Sequence, residues 1–534
     1  MQFNIISFKN ILVKLLLIIS FPCFTLLFSR NANQTIVIIS LILSLIIGFI
    51  VVIKFFDKLF EKVNYKLLFL SFIIADIVLS IYYQFRLSDS LSFAFFKIPN
   101  NFLPWLIIGS FIFCITLIYF LIINLKKPVI NFFKGLDEFE RKFLIIFSIL
   151  FFMISIFVCL KTSVFYYVDN IQWDLIYTTD SSDIYKNETY LNVNSPYSDA
   201  GKQPLFGVFA LPFGFVSFVL SKLLFFIPNS YPVCILTVQF ILLLITIIML
   251  EKLLKLDDLD KKGFCFLFLS LFSTLVFAFT LEQYIISLFY LVLVFYVYYN
   301  MKGNCNYTYI SGATTLTTTG ILLPFISKDK HVKNYLLSVL KCLLLFLVIT
   351  IVFGQLSFIT SFFETVLNNL DGFAGDKVLF IDRLKQYLNF VRGIFLTVPS
   401  KIVTADVSEF WYPQYLLADV YNFSKFGILI LILCLISVIV NRKNKMALIS
   451  GFWVLYSFVI LCLIGFGTQE NGLILYSLYF SWAFIILLYL LFMQIVRKPL
   501  IRFIVCIIVF SLLLYINVPG LYDIINFGIM FYPN

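Results

Sequence analysis

The sequence predicts an all-α, polytopic integral membrane protein of about 13 transmembrane helices with external juxtamembrane helices. Three observations carry this. Of the 534 residues, 62% are hydrophobic and 13% charged, more apolar surface than a soluble core of that size can hide. Apolar runs of roughly 20 residues, the length that crosses a bilayer, recur from one end to the other, so residues 1–534 read as a single membrane domain. The lysines and arginines behind the net charge of +11 sit in short loops between those runs. That is where the positive-inside bias places them, so the charge argues for membrane lipid and against nucleic acid as a partner.

The first run, Ile11–Ser29, has no small-residue cleavage site after it and reads as a retained helix. Thr35–Val52 follows and ends at the lysine-rich FFDKLFEKVNYK, which puts the N-terminus on the cytoplasmic side. Leu67–Tyr83 carries Asp76 in its middle, a carboxylate that needs a partner or a wet cavity at that depth. Leu103–Asn124 ends at the basic LKKPVINFFKGLDEFERK, and Phe143–Leu160 then delivers the chain to the outer face.

There the first large external loop begins, and residues 161–232 form the centre of the reading. The loop holds Asp169, Asp174, Asp180, Asp183, Glu188 and Asp199, and closes in Lys202, Gln203 and Pro204. Pro204–Ile227 is long enough to span. Spanning would put the four lysines of EKLLKLDDLDKK outside, so it is expected to lie along the outer surface or re-enter from it. Val233–Leu250, Gly263–Thr280 and Ile285–Tyr299 continue as spans, with Glu282 in a short outer turn. Tyr309–Ser327, rich in Gly and Thr, reads as a broken or re-entrant pair, and Leu336–Phe358 as a span.

The second external loop covers 359–425. DKVLFIDRLKQYLNFVRGIF alternates apolar and basic residues at helical spacing, which suits a helix in the interface. TADVSEFWYPQY follows, mixing aromatics with Asp406 and Glu409. Phe426–Val440, Met446–Phe466, Leu473–Ile495 and Phe503–Val518 complete the spans. Basic NRKNK and VRKPLIR face in, and GFGTQENG with Glu470 faces out.

Cysteine and histidine usage offers no metal-ligand spacing: nine of the ten cysteines lie in or beside apolar runs, Cys305 is in a basic loop, and His331 is the only histidine. The polar residues outside the basic loops converge instead on the outer face. Such a face can act as an aqueous site floored by lipid. A carboxylate there takes a proton from an acceptor hydroxyl while cations bind a phosphate leaving group. Lys202, Arg383, Lys385 and Arg392 are the candidate phosphate partners, with Gln203 and Asp199 beside Lys202. No P-loop lysine in a glycine-rich loop is present, which argues against direct use of ATP.

DSSD (Asp180–Asp183) and KQPLFGVFALPF (Lys202–Phe213), an acidic loop stepping through Lys-x-Pro-Leu into a juxtamembrane helix, resemble the GT-C superfamily of polyprenyl-phosphate-sugar-dependent glycosyltransferases. Protein mannosyltransferases and the lipid A aminoarabinose transferase share that layout. GTQENGLILYSLYFSWAF (Gly467–Phe484) resembles a late segment of the bacterial envelope-polymer members. The chain lacks the Asp-Glu pair that mannosyltransferases carry after their first helix, and it places four further helices before the loop.

The resemblance implies a GT-C-like fold in the plasma membrane with extracytoplasmic catalytic loops. It implies an inverting transfer of sugar from a polyprenyl-phosphate carrier to a cell-envelope glycan or glycopolymer. Asp180 is then the first choice of base, with Asp183, Asp169 and Asp174 as alternatives. Glu282, Glu470 and Glu409 stand near the acceptor or a divalent metal such as Mg²⁺ or Mn²⁺, and a donor synthase is the expected protein partner. Two other classes compete: a lipid-linked oligosaccharide flippase or transporter, which wants charges within spans and internal repeats, and a polysaccharide polymerase or ligase.

Overall fold

The computed structural model describes residues 5–29, 34–60, 63–86, 103–167, 175–186, 190–191, 205–300, 332–356, 378–407, 410–468 and 472–534. Five helices lead in: α1 (Ile5–Phe28), α2 (Gln34–Phe60), α3 (Tyr65–Arg86), α4 (Leu103–Lys134) and α5 (Glu138–Lys161). The short α6 (Ser181–Lys186), α7 (Phe206–Leu223), α8 (Ser230–Leu254), α9 (Asp258–Ser270), α10 (Phe272–Phe279) and α11 (Tyr284–Asn300) follow, then α12 (Val332–Val352) and α13 (Phe380–Phe395). Strands β1 (Ser400–Val407) and β2 (Phe410–Leu417) form an antiparallel hairpin. The chain closes with α14 (Lys425–Val440), α15 (Lys445–Phe458) continued by a π turn to Ile464, α16 (Ser477–Ile495) and α17 (Pro499–Phe531).

Among the described residues, nine helices are long and apolar enough to cross a membrane, or ten if bent α9–α10 is one span. Leucine, isoleucine and phenylalanine side chains are widely exposed along α1, α2, α5, α14 and α17; in water that surface would be prohibitive, and in lipid it is the solvated face. The protein is therefore an all-α polytopic membrane protein. One main core joins α5, α8–α11 and α13–α17. Around it α1–α4 and α12 form a satellite layer with its own aromatic cluster at Phe24, Phe28 and Phe113. Hydroxyls buried in these helices bond to carbonyls, as Thr25 Oγ1 does to Val352 O (3.0 Å).

Two ends of the bundle differ in chemistry. At one, the α4–α5, α8–α9, α14–α15 and α16–α17 turns come together, the basic loops of the sequence. Asp137 caps α5 in a capping box with Glu140, and its carboxylate also pairs with Lys261. Glu140 meets Lys252 at 2.6 Å. Asp260, wholly buried, accepts from Arg502 Nε at 2.7 Å, and Arg502 also donates to Val496 O and Arg497 O, 2.9 Å each. Gln494 reaches Asn441 Oδ1 at 3.3 Å. The opposite end gathers the C-terminus of α5, the α10–α11 turn, the hairpin and the end of α17. Thr162 Oγ1 donates to Tyr532 O (2.8 Å) and Tyr415 N to Leu175 O (2.7 Å).

Several expectations are corrected in detail. Gly263–Thr280 is not one straight helix: it bends by 61° at Leu271, and Asn517 Nδ2 bonds Ser270 O there (2.8 Å). Part of the second external loop is a β-hairpin, not helix and turn. The helix α13 in it is not interfacial throughout, because Gln386–Val391 and Gly393–Phe395 are buried in the core. The last span extends to Phe531, through Pro519 and Gly520. α7 meets the length and composition of a span, yet its flanks return to one end. Phe206 packs on the Tyr190 ring (5.6 Å between centroids), and Asn229 beyond it donates to Cys159 O at the end of α5 (3.0 Å). The expected re-entrant pair at 309–327 lies outside the described residues.

Candidate functional site

The α10–α11 turn and the segment 175–191 come from sequence positions about a hundred residues apart and meet at the end opposite the basic loops. Tyr177 and Thr178 turn the chain with φ of 47° and 60°, a left-handed geometry that non-glycine residues adopt at some cost. Gly472 packs close against that turn, since a Cβ added to it would lie 2.5 Å from Thr178 Oγ1. The turn delivers the Asp180 N–H to Glu282 Oε1 at 2.6 Å. Ile184 N then bonds Asp180 O at 2.9 Å, starting α6, whose first turn carries Asp183.

Glu282 is only 1% exposed. Its other carboxylate oxygen accepts from Gln283 N (3.2 Å), and its backbone carbonyl accepts from Tyr190 OH and Gln239 Nε2, both at 2.6 Å. A buried carboxylate held by backbone N–H groups is a fixed anchor. Burial raises the Tyr190 phenol well above its ordinary value, so it stays a neutral donor. Asp183 is half-buried. Burial first, and the neighbouring Asp180 charge second, raise its carboxyl above the usual range, with Lys186 opposing.

Of the sequence-predicted residues, Asp180, Asp183 and Glu282 are therefore brought together. Asp169, Asp174, Asp199, Lys202, Gln203, Glu409 and Glu470 lie outside the described residues. The segments flanking Glu409 and Glu470 belong to the same end: Ile176 bridges to Tyr415 of the hairpin, and Thr178 touches Gly472. Arg383 donates to Leu463 O (2.7 Å) and Ile464 O (3.3 Å), and Lys385 pairs with Asp382 (2.9 Å). Arg392 Nε is buried without a hydrogen-bond partner among the described residues, and burial lowers the guanidinium's proton affinity. Asp76 is exposed on α3 beside buried Ala75. No group of three or more His, Cys, Asp and Glu among the described residues could hold a metal ion. Both oxygens of the Glu282 carboxylate accept backbone N–H groups.

Gln239, Tyr190 and Gln283 belong to this network although sequence reasoning does not single them out. Gln239 carries a signal: it is a lone amide within the apolar run VCILTVQFILLL, where a polar side chain needs a partner.

Comparison with known proteins finds no family model, no curated protein and no solved structure that matches this chain. What the fold and its two unlike ends define is the class alone, a polytopic all-α membrane protein with a carboxylate cluster at the end away from its basic loops.

Proposed function

We propose that the protein is an inverting membrane glycosyltransferase that moves a sugar from a polyprenyl-phosphate carrier to an extracytoplasmic glycan. The observation that carries this reading is the junction of Asp180 with Glu282, one turn before Asp183, at the end away from the basic loops. With those loops cytoplasmic, as the positive-inside bias requires, the carboxylates face outward. Setting α7 aside as juxtamembrane and counting bent α9–α10, α3, α11, α12 and α14 as spans gives thirteen crossings.

In the proposed reaction an acceptor hydroxyl oxygen attacks the anomeric carbon. The carbon–oxygen bond to phosphate breaks with its electron pair going to the phosphate, and a carboxylate takes the hydroxyl proton. Asp183 suits that task, because its environment pushes its carboxyl toward working pH; Glu282 holds the Asp180 backbone beside it as a positioning residue. Arg392, whose Nε has no partner among the described residues, retains capacity for the phosphate. The exposed position of Asp76 gives a transporter reading no charged residue lining the described bundle interior at that helix.

The test is transfer of labelled sugar from synthetic polyprenyl-phosphate sugars by the purified chain in detergent. Losing a general base costs about 10²- to 10⁴-fold, so Asp183→Asn or Asp180→Asn is expected to fall by that factor. Wild-type rates in both variants would reject the base assignment, and absence of transfer from every donor would reject the class of reaction.

A further inference from the structure

Beside α6 lies a cleft of about 370 Å³ whose wall includes Tyr166, Tyr167, Tyr185, Asn229, Tyr532 and Asn534. We propose that it is a carbohydrate subsite holding a sugar ring of the acceptor glycan away from the one that reacts. This rests on the glycosyltransferase reading.

The lining chooses the ligand chemistry. Among the described residues its side chains include no Lys, Arg, Asp or Glu, in a chain of net charge +11, so a phosphate, a nucleotide or an anionic lipid headgroup finds no cation in it. It is also too polar for an acyl chain, since only Phe531 and Pro533 in it lack a side-chain polar atom. A neutral ligand with one apolar face and hydroxyls around its edge fits both conditions, and a pyranose ring is such a ligand. The Tyr167 and Tyr185 rings stand 5.1 Å apart at 31°, with Tyr166 5.7 Å from Tyr185, giving an aromatic wall for the C–H face.

The wall is fixed before any ligand arrives. Tyr532 OH donates to Pro413 O (2.5 Å). Asn534 Nδ2 donates to Cys159 O (2.6 Å) and Tyr166 OH (2.8 Å), and Asn229 Nδ2 donates to Cys159 O (3.0 Å). Both amides spend hydrogens on the wall and keep side-chain carbonyl oxygens as acceptors for sugar hydroxyls. Such preorganisation reduces the ordering cost of binding.

Position separates this subsite from the reacting centre. Tyr185 and Asp183 are two residues apart on α6, so they leave the helix about 200° apart, on opposite faces. The cleft and the carboxylate face are then separated by roughly a helix width, about 10 Å. A site there selects longer acceptors without touching the bond that forms.

The full chain in detergent is assayed for transfer to a ladder of acceptor oligosaccharides, from single sugars upward, and for direct binding to an array of the same glycans. Tyr167→Leu and Tyr185→Leu keep bulk and remove the ring. Each is expected to raise KM for the longer acceptors by roughly three- to tenfold, with kcat and the kinetics of the shortest acceptor unchanged. Unaltered KM for every acceptor in both variants overturns the subsite and leaves the transferase reading standing. If no donor supports transfer, that reading fails, and the array alone decides the cleft: wild-type binding weakened in the Leu variants supports it, and no binding by wild type overturns it. Should a Leu variant not elute as wild type does, Asn534→Ala is read in its place, with the same KM and binding outcomes.

Discussion

Replacing Glu282 by alanine is expected to loosen the start of α6 specifically. The carboxylate accepts the Asp180 N–H at 2.6 Å and the Gln283 N–H at 3.2 Å. A hydrogen bond to a charged group is worth about 1.5–3 kcal/mol net, and the shorter one carries most of it. Because 1.4 kcal/mol is tenfold in an equilibrium, the Asp180 amide should exchange roughly 10- to 150-fold faster in Glu282→Ala. Glu282→Gln keeps an acceptor but loses the charge that about doubles such a bond, so its effect should be smaller, a few-fold to about tenfold. The assay is hydrogen–deuterium exchange on peptides covering 179–186 in detergent. Global melting is the poorer readout, because removing a buried carboxylate also removes its desolvation cost. Unchanged exchange over 179–186 in the alanine variant would refute the anchoring role.

Asp183→Asn should stabilise the protein at neutral pH, because the folded site holds that carboxyl's pKa above its unfolded value. The sign follows from linkage: the folded state keeps a proton the unfolded state has released, so wild-type stability falls as pH rises through that window. Melting curves should show the variant's advantage shrinking as pH drops toward the ordinary aspartate range. At the basic end, Arg502→Met should cost about 3–5 kcal/mol by stranding buried Asp260, whereas Asp260→Leu combined with Arg502→Met should recover most of it; denaturation of both in one detergent tests this. Gly214→Ala should cost about 1–3 kcal/mol, since its Cβ would collide with the Tyr190 carbonyl, and exchange near Tyr190 should rise with it.

The spans and the basic turns are legible in the sequence because hydropathy and charge are local signals. The four basic turns of the described bundle do meet at one end, through pairs such as Glu140–Lys252 and the Gln494–Asn441 bond. Of the acidic residues grouped by sequence, Asp180, Asp183 and Glu282 lie among the described residues, and the Asp180 N–H meets the Glu282 carboxylate. What composition cannot give is the partner of each atom: that Glu282 holds a backbone N–H, or that Gln239 braces its carbonyl. The hairpin escapes because the aromatics and carboxylates of TADVSEFWYPQY draw the eye to chemistry, although Ile402, Val403 and Thr404 carry a β-branched run. The bend at Leu271 is invisible because its stabiliser, Asn517, lies far along the chain. Half of α13 sinks into the core because its apolar face is covered by α14–α16 and α10, which no local pattern records.

The two ends balance charge differently: the basic end sets cations from neighbouring turns beside its carboxylates, and the other end holds Asp183 near Asp180 and Lys186. At the basic end Asp137, Glu140 and Asp260 each face a cation from a neighbouring turn. Such pairs fix helix to helix, and buried Glu251 lies among them beside Glu140, its Oε1 4.0 Å from the Lys252 ammonium. At the other end Asp183 has Asp180 pressing against it in addition to Lys186, and the balance of burial and like charge runs against ionisation. On the transferase proposal, the raised carboxyl of Asp183 is what a proton-accepting group calls for. Glu282, bound by backbone N–H groups, supplies the rigidity that keeps the crowded pair in place. The turn at Tyr177 and Thr178 is held in its left-handed geometry by the contacts around it, Gly472 beside Thr178 and the Asp180 N–H on Glu282.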